Sequence, residues 1–285
     1  MTMSEATPVH SNSISWFQIF KYGVYGLLIV NAFLFFQEDF LASAHLFSDG
    51  LSIGQLIEAY AATIDTTSWI VLLLVFELET RVIDDDKLKG STKWLLTSFK
   101  LSCYAVITYA VYGYINKYMV MHSFEASTVV ELCHQASQSL SYMTDLDEYT
   151  LVSAGNCADL SGAASFVALP GTAIVTDQEA MASAQWLALI DVVNAVDWLL
   201  VVLILGADVW MQMKGRLTDR MIKLNAAIKS VLYLVLLVCA VLWGLDGDFL
   251  DFWDAFLWII AFVFIEMNLF EWHSEVQEQE VQEQT

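Results

Sequence analysis

Asp191, Asn194 and Asp197 fall inside the apolar run 185–208, Glu77 inside the run 58–80, and Glu266 inside the run 252–270. A carboxylate at mid-bilayer depth costs roughly 2.5 kcal/mol or more on insertion scales, so it is seldom left facing lipid. No Lys, Arg or His lies at the depth of Asp197 to pair with it. Such an acid either keeps its proton or borders water and a cation. Either state can bind or pass H⁺ or a small monovalent cation. Asp191, Asp197, Glu266 and Glu77 then read as a ladder of carboxylates from the outer to the inner leaflet, with Asn194 between the first two. The plainer alternative is helix–helix glue, with a protonated Asp197 bonded to Asn194, Ser68 or a tyrosine.

A second set of charges has a structural reading. Glu79 and Asp208 end two of the apolar runs, and Lys100 and Lys229 stand one or two turns inside the runs that follow. Each hairpin is therefore expected to pin itself with an ion pair, Glu79 with Lys100 and Asp208 with Lys229, the lysine stems snorkelling to the edge. Cys133 and Cys157 lie in the one long hydrophilic segment and are expected to form a disulfide, since that segment is placed outside the cytoplasm. Cys103 and Cys239 lie in apolar runs and read as packing residues.

Familiar catalytic patterns are missing. There is no phosphate-binding glycine loop, no nucleophile elbow and no pair of zinc-binding histidines at helical spacing. The five histidines, 10, 45, 122, 134 and 273, all sit in polar or edge positions. These absences argue against an enzyme, a metal site or a cofactor.

Six apolar runs must position these groups: 16–36, 58–80, 94–118, 185–208, 226–245 and 252–270. About 20 apolar residues span a bilayer as a helix. The runs show no period-2 alternation, so helices are expected rather than a barrel. The fold class is an all-α polytopic membrane protein with six transmembrane helices. The second and third runs and the fourth and fifth read as a duplicated hairpin. At one constant offset of 129 residues Trp69 falls on Trp198, Glu79 on Asp208, Lys87 on Arg216, Lys100 on Lys229 and Tyr104 on Tyr233. Both hairpins start from the same side, so the repeat is parallel.

Orientation follows from the basic residues. Arg81, Lys87, Lys89, Lys93, Lys214, Arg216, Arg220 and Lys223 lie in the turns of the two hairpins, and Lys117 alone lies at the other level. Both termini are expected in the cytoplasm, and the membrane is expected to be a cell inner (plasma) membrane. The resulting divisions are a disordered tail (1–15), three helices (16–118), an extracytoplasmic cap (119–183), three helices (184–270) and an acidic tail (271–285). Residues 37–57 are read as an interfacial segment. The cap is read as helical over 124–142 and irregular afterwards.

Twelve Lys and Arg stand against 33 Asp and Glu, a net charge of −21. That balance disfavours nucleic acid and anionic lipid head groups and suits cations or basic partners. The leading expectation is a cation or proton pathway, either a channel or an ion-coupled transporter, working in a lipid bilayer. The alternative is a non-catalytic subunit or scaffold of a larger membrane complex, docking through 119–183 or 271–285. A homo-oligomer fits either reading.

Overall fold

The computed structural model describes residues 16–47, 50–52, 54–83, 89–135, 139–162, 165–213 and 218–264. The helices are α1 (Trp16–Leu46), α2 (Leu56–Ala59), α3 (Ala61–Glu77), α4 (Ser91–Met121), α5 (Cys157–Leu160), α6 (Gln178–Met213), α7 (Asp219–Asp246) and α8 (249–264). A single π-helical turn, Leu78–Val82, extends α3. Glu266 and both tails lie outside the described residues.

Among the described residues four helices are long and apolar enough to cross a membrane, over Trp16–Leu46, Ser91–Met121, Gln178–Asp208 and Arg220–Asp246. A helix of 31 residues is about 46 Å long, against about 30 Å of hydrocarbon. The excess would carry a membrane-crossing α1 or α4 beyond the bilayer core. Apolar side chains cover the outward faces of these helices. Phe20, Leu27, Val30 and Phe33 of α1 and Val231, Leu234 and Leu237 of α7 are exposed on the outside of the bundle, as lipid-facing residues are. With 17 residues, α3 is shorter.

Neighbouring helices pack as α1–α3, α3–α4, α4–α6 and α6–α7. α8 joins through aromatic side chains. Phe264 meets Phe17 and Phe20 of α1, and Trp258 and Phe262 meet Trp69 of α3. Gly113 of α4 permits a close approach. A Cβ there would stand 3.3 Å from both the Ala61 Cβ and the Ile57 carbonyl oxygen.

Two expectations fail here. The first is the interfacial segment over 37–57, because α1 continues unbroken through Gln37, Glu38 and Asp39 to Leu46. No Gly or Pro lies between Gln37 and Leu46, and Asp39 gains partners, accepting hydrogen bonds from the Thr63 backbone N–H (3.0 Å) and hydroxyl (2.6 Å). His45, six residues further, meets the Ser141 hydroxyl at 2.8 Å and stacks on Tyr149 of the cap.

The second is the helical cap. Five short strands, β1 (Glu125–Ala126), β2 (Ser141–Met143), β3 (Tyr149–Leu151), β4 (Phe166–Ala168) and β5 (Ile174–Asp177), form one sheet in the order β1-β4-β5-β2-β3. The chain is thus mostly helical with a small sheet domain, not all-α. The apolar residues that suggested a helix over 124–142 are divided between two clusters. Leu132, Leu140 and Tyr142 pack with Val152, Phe166 and Val175, while Phe124 and Met143 turn toward α6 and α7. The β-branched run of β5 favours a strand. Leu169-Pro170-Gly171, with Gly171 at φ +78°, turns β4 back onto it. A disulfide between Cys133 and Cys157 ties the cap together.

The cap also starts α6. Asp177 Oδ1 accepts from the backbone N–H groups of Glu179 and Ala180, both at 2.8 Å, which satisfies free donors of the first turn. The Tyr142 hydroxyl donates to Asp177 Oδ2 at 2.7 Å. Burial and that bond together push the Tyr142 pKa up to about 12.

Candidate functional site

A pocket opens between the cap and the helices at the cap end of the bundle. Its cavity volume is about 60 Å³. Its walls combine two chemistries. Glu38 and Asp39 of α1, Asp65 of α3, Asp147 of the cap, Asp191 of α6, and Asp251 and Asp254 of α8 supply seven carboxylates. Trp69, Trp198, Trp258 and Phe262 supply an aromatic floor.

Helix geometry explains which residues arrive. On α6, Asp191, Asn194 and Trp198 stand at positions i, i+3 and i+7, one face of a helix. On α3, Ala62, Asp65 and Trp69 repeat that spacing, and all six residues line the pocket. These are the positions 129 residues apart in the sequence. The floor is continuous. Ring centroids are 6.1 Å apart for Trp69 and Trp198, 6.2 Å for Trp69 and Trp258, and 4.5 Å for Trp198 and Phe262.

Lys117 is the single basic residue of the lining among the described residues, and its ammonium donates to Asp147 Oδ2 at 2.6 Å. Asn31 donates to Asp254 Oδ1 at 3.0 Å, and Thr63 holds Asp39. The rest of the polar set is under-satisfied. Asp65 Oδ1 and Asn194 Oδ1 are buried without a hydrogen-bond partner among the described residues, as is the indole N–H of Trp243. Asp191 is only 9% exposed, and the Trp243 indole stands beside it without forming a hydrogen bond. An unmet buried polar group costs about 1–3 kcal/mol. Six carboxylates beyond the Lys117–Asp147 pair have no further basic side chain beside them among the described lining residues.

Among the described residues, three acids at the opposite end of the bundle, Glu77, Glu79 and Asp208, are matched. Lys21 makes a buried ion pair with Glu77, whose carboxylate also accepts from the Tyr22 and Tyr25 hydroxyls at 3.3 and 3.4 Å. Lys100 meets Glu79 at 2.7 Å and Lys229 meets Asp208 at 3.5 Å. Asn225 donates to Asp208 as well.

The residues picked from sequence therefore separate. Asp191 and Asn194 line the pocket. Asp197 does not; it lies six residues past Asp191, about 120° round the helix from it and at the margin of the face. It is 5% exposed, with Oδ2 unpartnered among the described residues, on the α7 side near Cys239. Glu77 sits at the far end with Lys21, and Glu266 lies outside the described residues. Glu38, Asp39, Asp147, Asp251 and Asp254 were missed. The first two stand in the stretch read as an interfacial segment. The last two fall at the outer edge of the sixth run, 252–270. Asp65 had one signal, its match to Asn194 in the repeat.

Among the described residues no group of three or more His, Cys, Asp or Glu is placed to hold a metal ion. The sequence matches no family model, and no curated protein or solved structure is similar to it.

Proposed function

We propose that the protein takes a cation from the side facing the cap and provides a cation or proton pathway across a cell inner (plasma) membrane. In this reading α3 and α8 complete six spans, the hairpins α3–α4 and α6–α7 are parallel repeats, and both termini are cytoplasmic. The turns rich in Lys and Arg then lie inside, and the cap lies outside.

One observation carries the reading: acids at the cap end are in excess of bases, while Glu77, Glu79 and Asp208 at the other end each have a lysine. A concave, low-dielectric site lined by one sign of charge concentrates counter-ions at its mouth. In this reading the aromatic floor, with the Lys21–Glu77 pair beyond it, closes the pathway toward the end away from the cap.

The test uses purified protein in liposomes, with Na⁺, K⁺ and H⁺ fluxes followed by ion-sensitive dyes. Wild-type protein is expected to carry one of these ions at least tenfold above empty liposomes. The double variant Asp191→Asn, Asp254→Asn is expected to insert normally and to lose most of that flux. Asp197→Asn, off the pocket wall, is expected to have the smaller effect. Wild-type flux equal to that of empty liposomes overturns the reading.

A further inference from the structure

We infer that the pocket accepts a protonated amine with a hydrocarbon body, an organic ammonium ion that still carries N–H donors. The inference rests on the cation reading above and names the chemical class of the cation.

Three features select this class. The unmet buried polar atoms include two acceptors, Asp65 Oδ1 and Asn194 Oδ1, on facing helices at repeat-related positions. Acceptors without donors call for a ligand that brings N–H groups. Asp191, nine-tenths buried, adds a carboxylate on the same face of α6 as Asn194.

The carboxylates are also spread out rather than convergent. No three of them among the described residues are placed to chelate a metal ion. A dehydrated Ca²⁺ needs six to eight oxygens at 2.3–2.6 Å, and this wall does not supply them. An ammonium ion needs only two or three acceptors around each nitrogen.

The floor supplies the remaining feature. Trp69, Trp198, Trp258 and Phe262 form an apolar, electron-rich surface directly against the acids. Tryptophan faces attract ammonium groups by about 0.5–2 kcal/mol and cover hydrocarbon as well. A small hydrated inorganic ion gains little from such a surface. Lys117 shows the chemistry in place, since its own ammonium on a hydrocarbon stem lies in the pocket wall against Asp147.

The tryptophans make the test direct. Protein in nanodiscs is titrated with 1,4-diaminobutane, tetramethylammonium, Na⁺ and Ca²⁺ at constant ionic strength, following intrinsic fluorescence. Diaminobutane is expected to change the emission saturably, with tetramethylammonium at least tenfold weaker because it has no N–H. Asp65→Asn is expected to weaken the diaminobutane response at least tenfold. Because the wild-type titrations stand alone, a poorly folding variant leaves the test intact.

Tetramethylammonium binding as well as the diamine overturns the N–H requirement. A response to Na⁺ or Ca²⁺ alone overturns the amine class and leaves the cation pathway standing. Silence toward all four overturns the inference, and the liposome fluxes then decide the pathway separately.

Discussion

Trp69 and Trp198 lie 129 residues apart in the chain, yet their rings meet at 6.1 Å beneath the pocket. They end matching faces of α3 and α6, below Asp65 and Asn194, and both are buried. This contact makes the floor a shared product of the two hairpins. Trp198→Ala is expected to cost about 3–5 kcal/mol, the range for emptying a large buried aromatic site. Trp198→Phe is expected to cost much less. Thermal unfolding in detergent checks both, and a Trp198→Ala cost below 1 kcal/mol would mean the floor is not packed.

Lys117 competes with any incoming cation for the same carboxylates. Its ammonium occupies Asp147 and stands among Asp39 and Asp191. Lys117→Met removes a resident positive charge while keeping much of the side-chain volume. Cation affinity, read from the fluorescence titration, is expected to rise three- to tenfold. A fall in affinity would make Lys117 a support for the pocket rather than a competitor.

Lys21 and Glu77 are each buried at the other end of the bundle. Removing one partner of such a pair strands a charge and costs about 3–5 kcal/mol, whereas replacing both is much milder. Lys21→Met is expected to lower stability by that amount, and Lys21→Met with Glu77→Gln to recover more than half. A double-mutant cycle by chemical denaturation measures it; additive losses would show that the pair is not coupled.

Asp177 gives the cap a pH dependence. Burial opposes its charge, but the N–H groups of Ala180 and Glu179 and the Tyr142 hydroxyl outweigh burial and hold its pKa below the ordinary 3.8. A depressed acid stabilises the fold above its unfolded pKa and loses that contribution as pH falls through the folded value. Asp177→Ala is expected to cost about 1 kcal/mol at pH 7, as loss of a helix N-cap does. Stability measured from pH 6 to pH 2 should show the difference from wild type shrinking below about pH 4. A difference constant across that range would remove the carboxylate from the explanation.

The helices were legible because their apolar runs are long, and the Trp and acid matches at one offset pointed to α3 and α6. The pocket was not, for two physical reasons. Glu38 and Asp39 look like the end of a run, and only the Thr63 contacts show why α1 continues past them. Asp147, Asp251 and Asp254 come from the cap and from α8, and no local pattern states that these approach α6. Asp197 carried the sequence reading because it is the most central acid of its run. Depth does not decide which face a residue takes, and six residues of helix turn it away from Asp191. The cap misled because its apolar spacing fits a helix, while its strands are held by non-local pairing and by Cys133–Cys157.

The most direct measurement is proton release. Unpaired pocket acids hold their positive charge as protons or as a bound cation, so one must displace the other. Protein in weakly buffered nanodiscs at pH 7 is mixed with 1,4-diaminobutane dihydrochloride or NaCl already at that pH, and the pH change is recorded. Wild-type protein is expected to release protons saturably with one of the two salts, and the Asp65→Asn, Asp191→Asn, Asp254→Asn variant to release far fewer. No release from wild type with either salt, or equal release from the variant, would contradict a cation site at the cap end of the bundle.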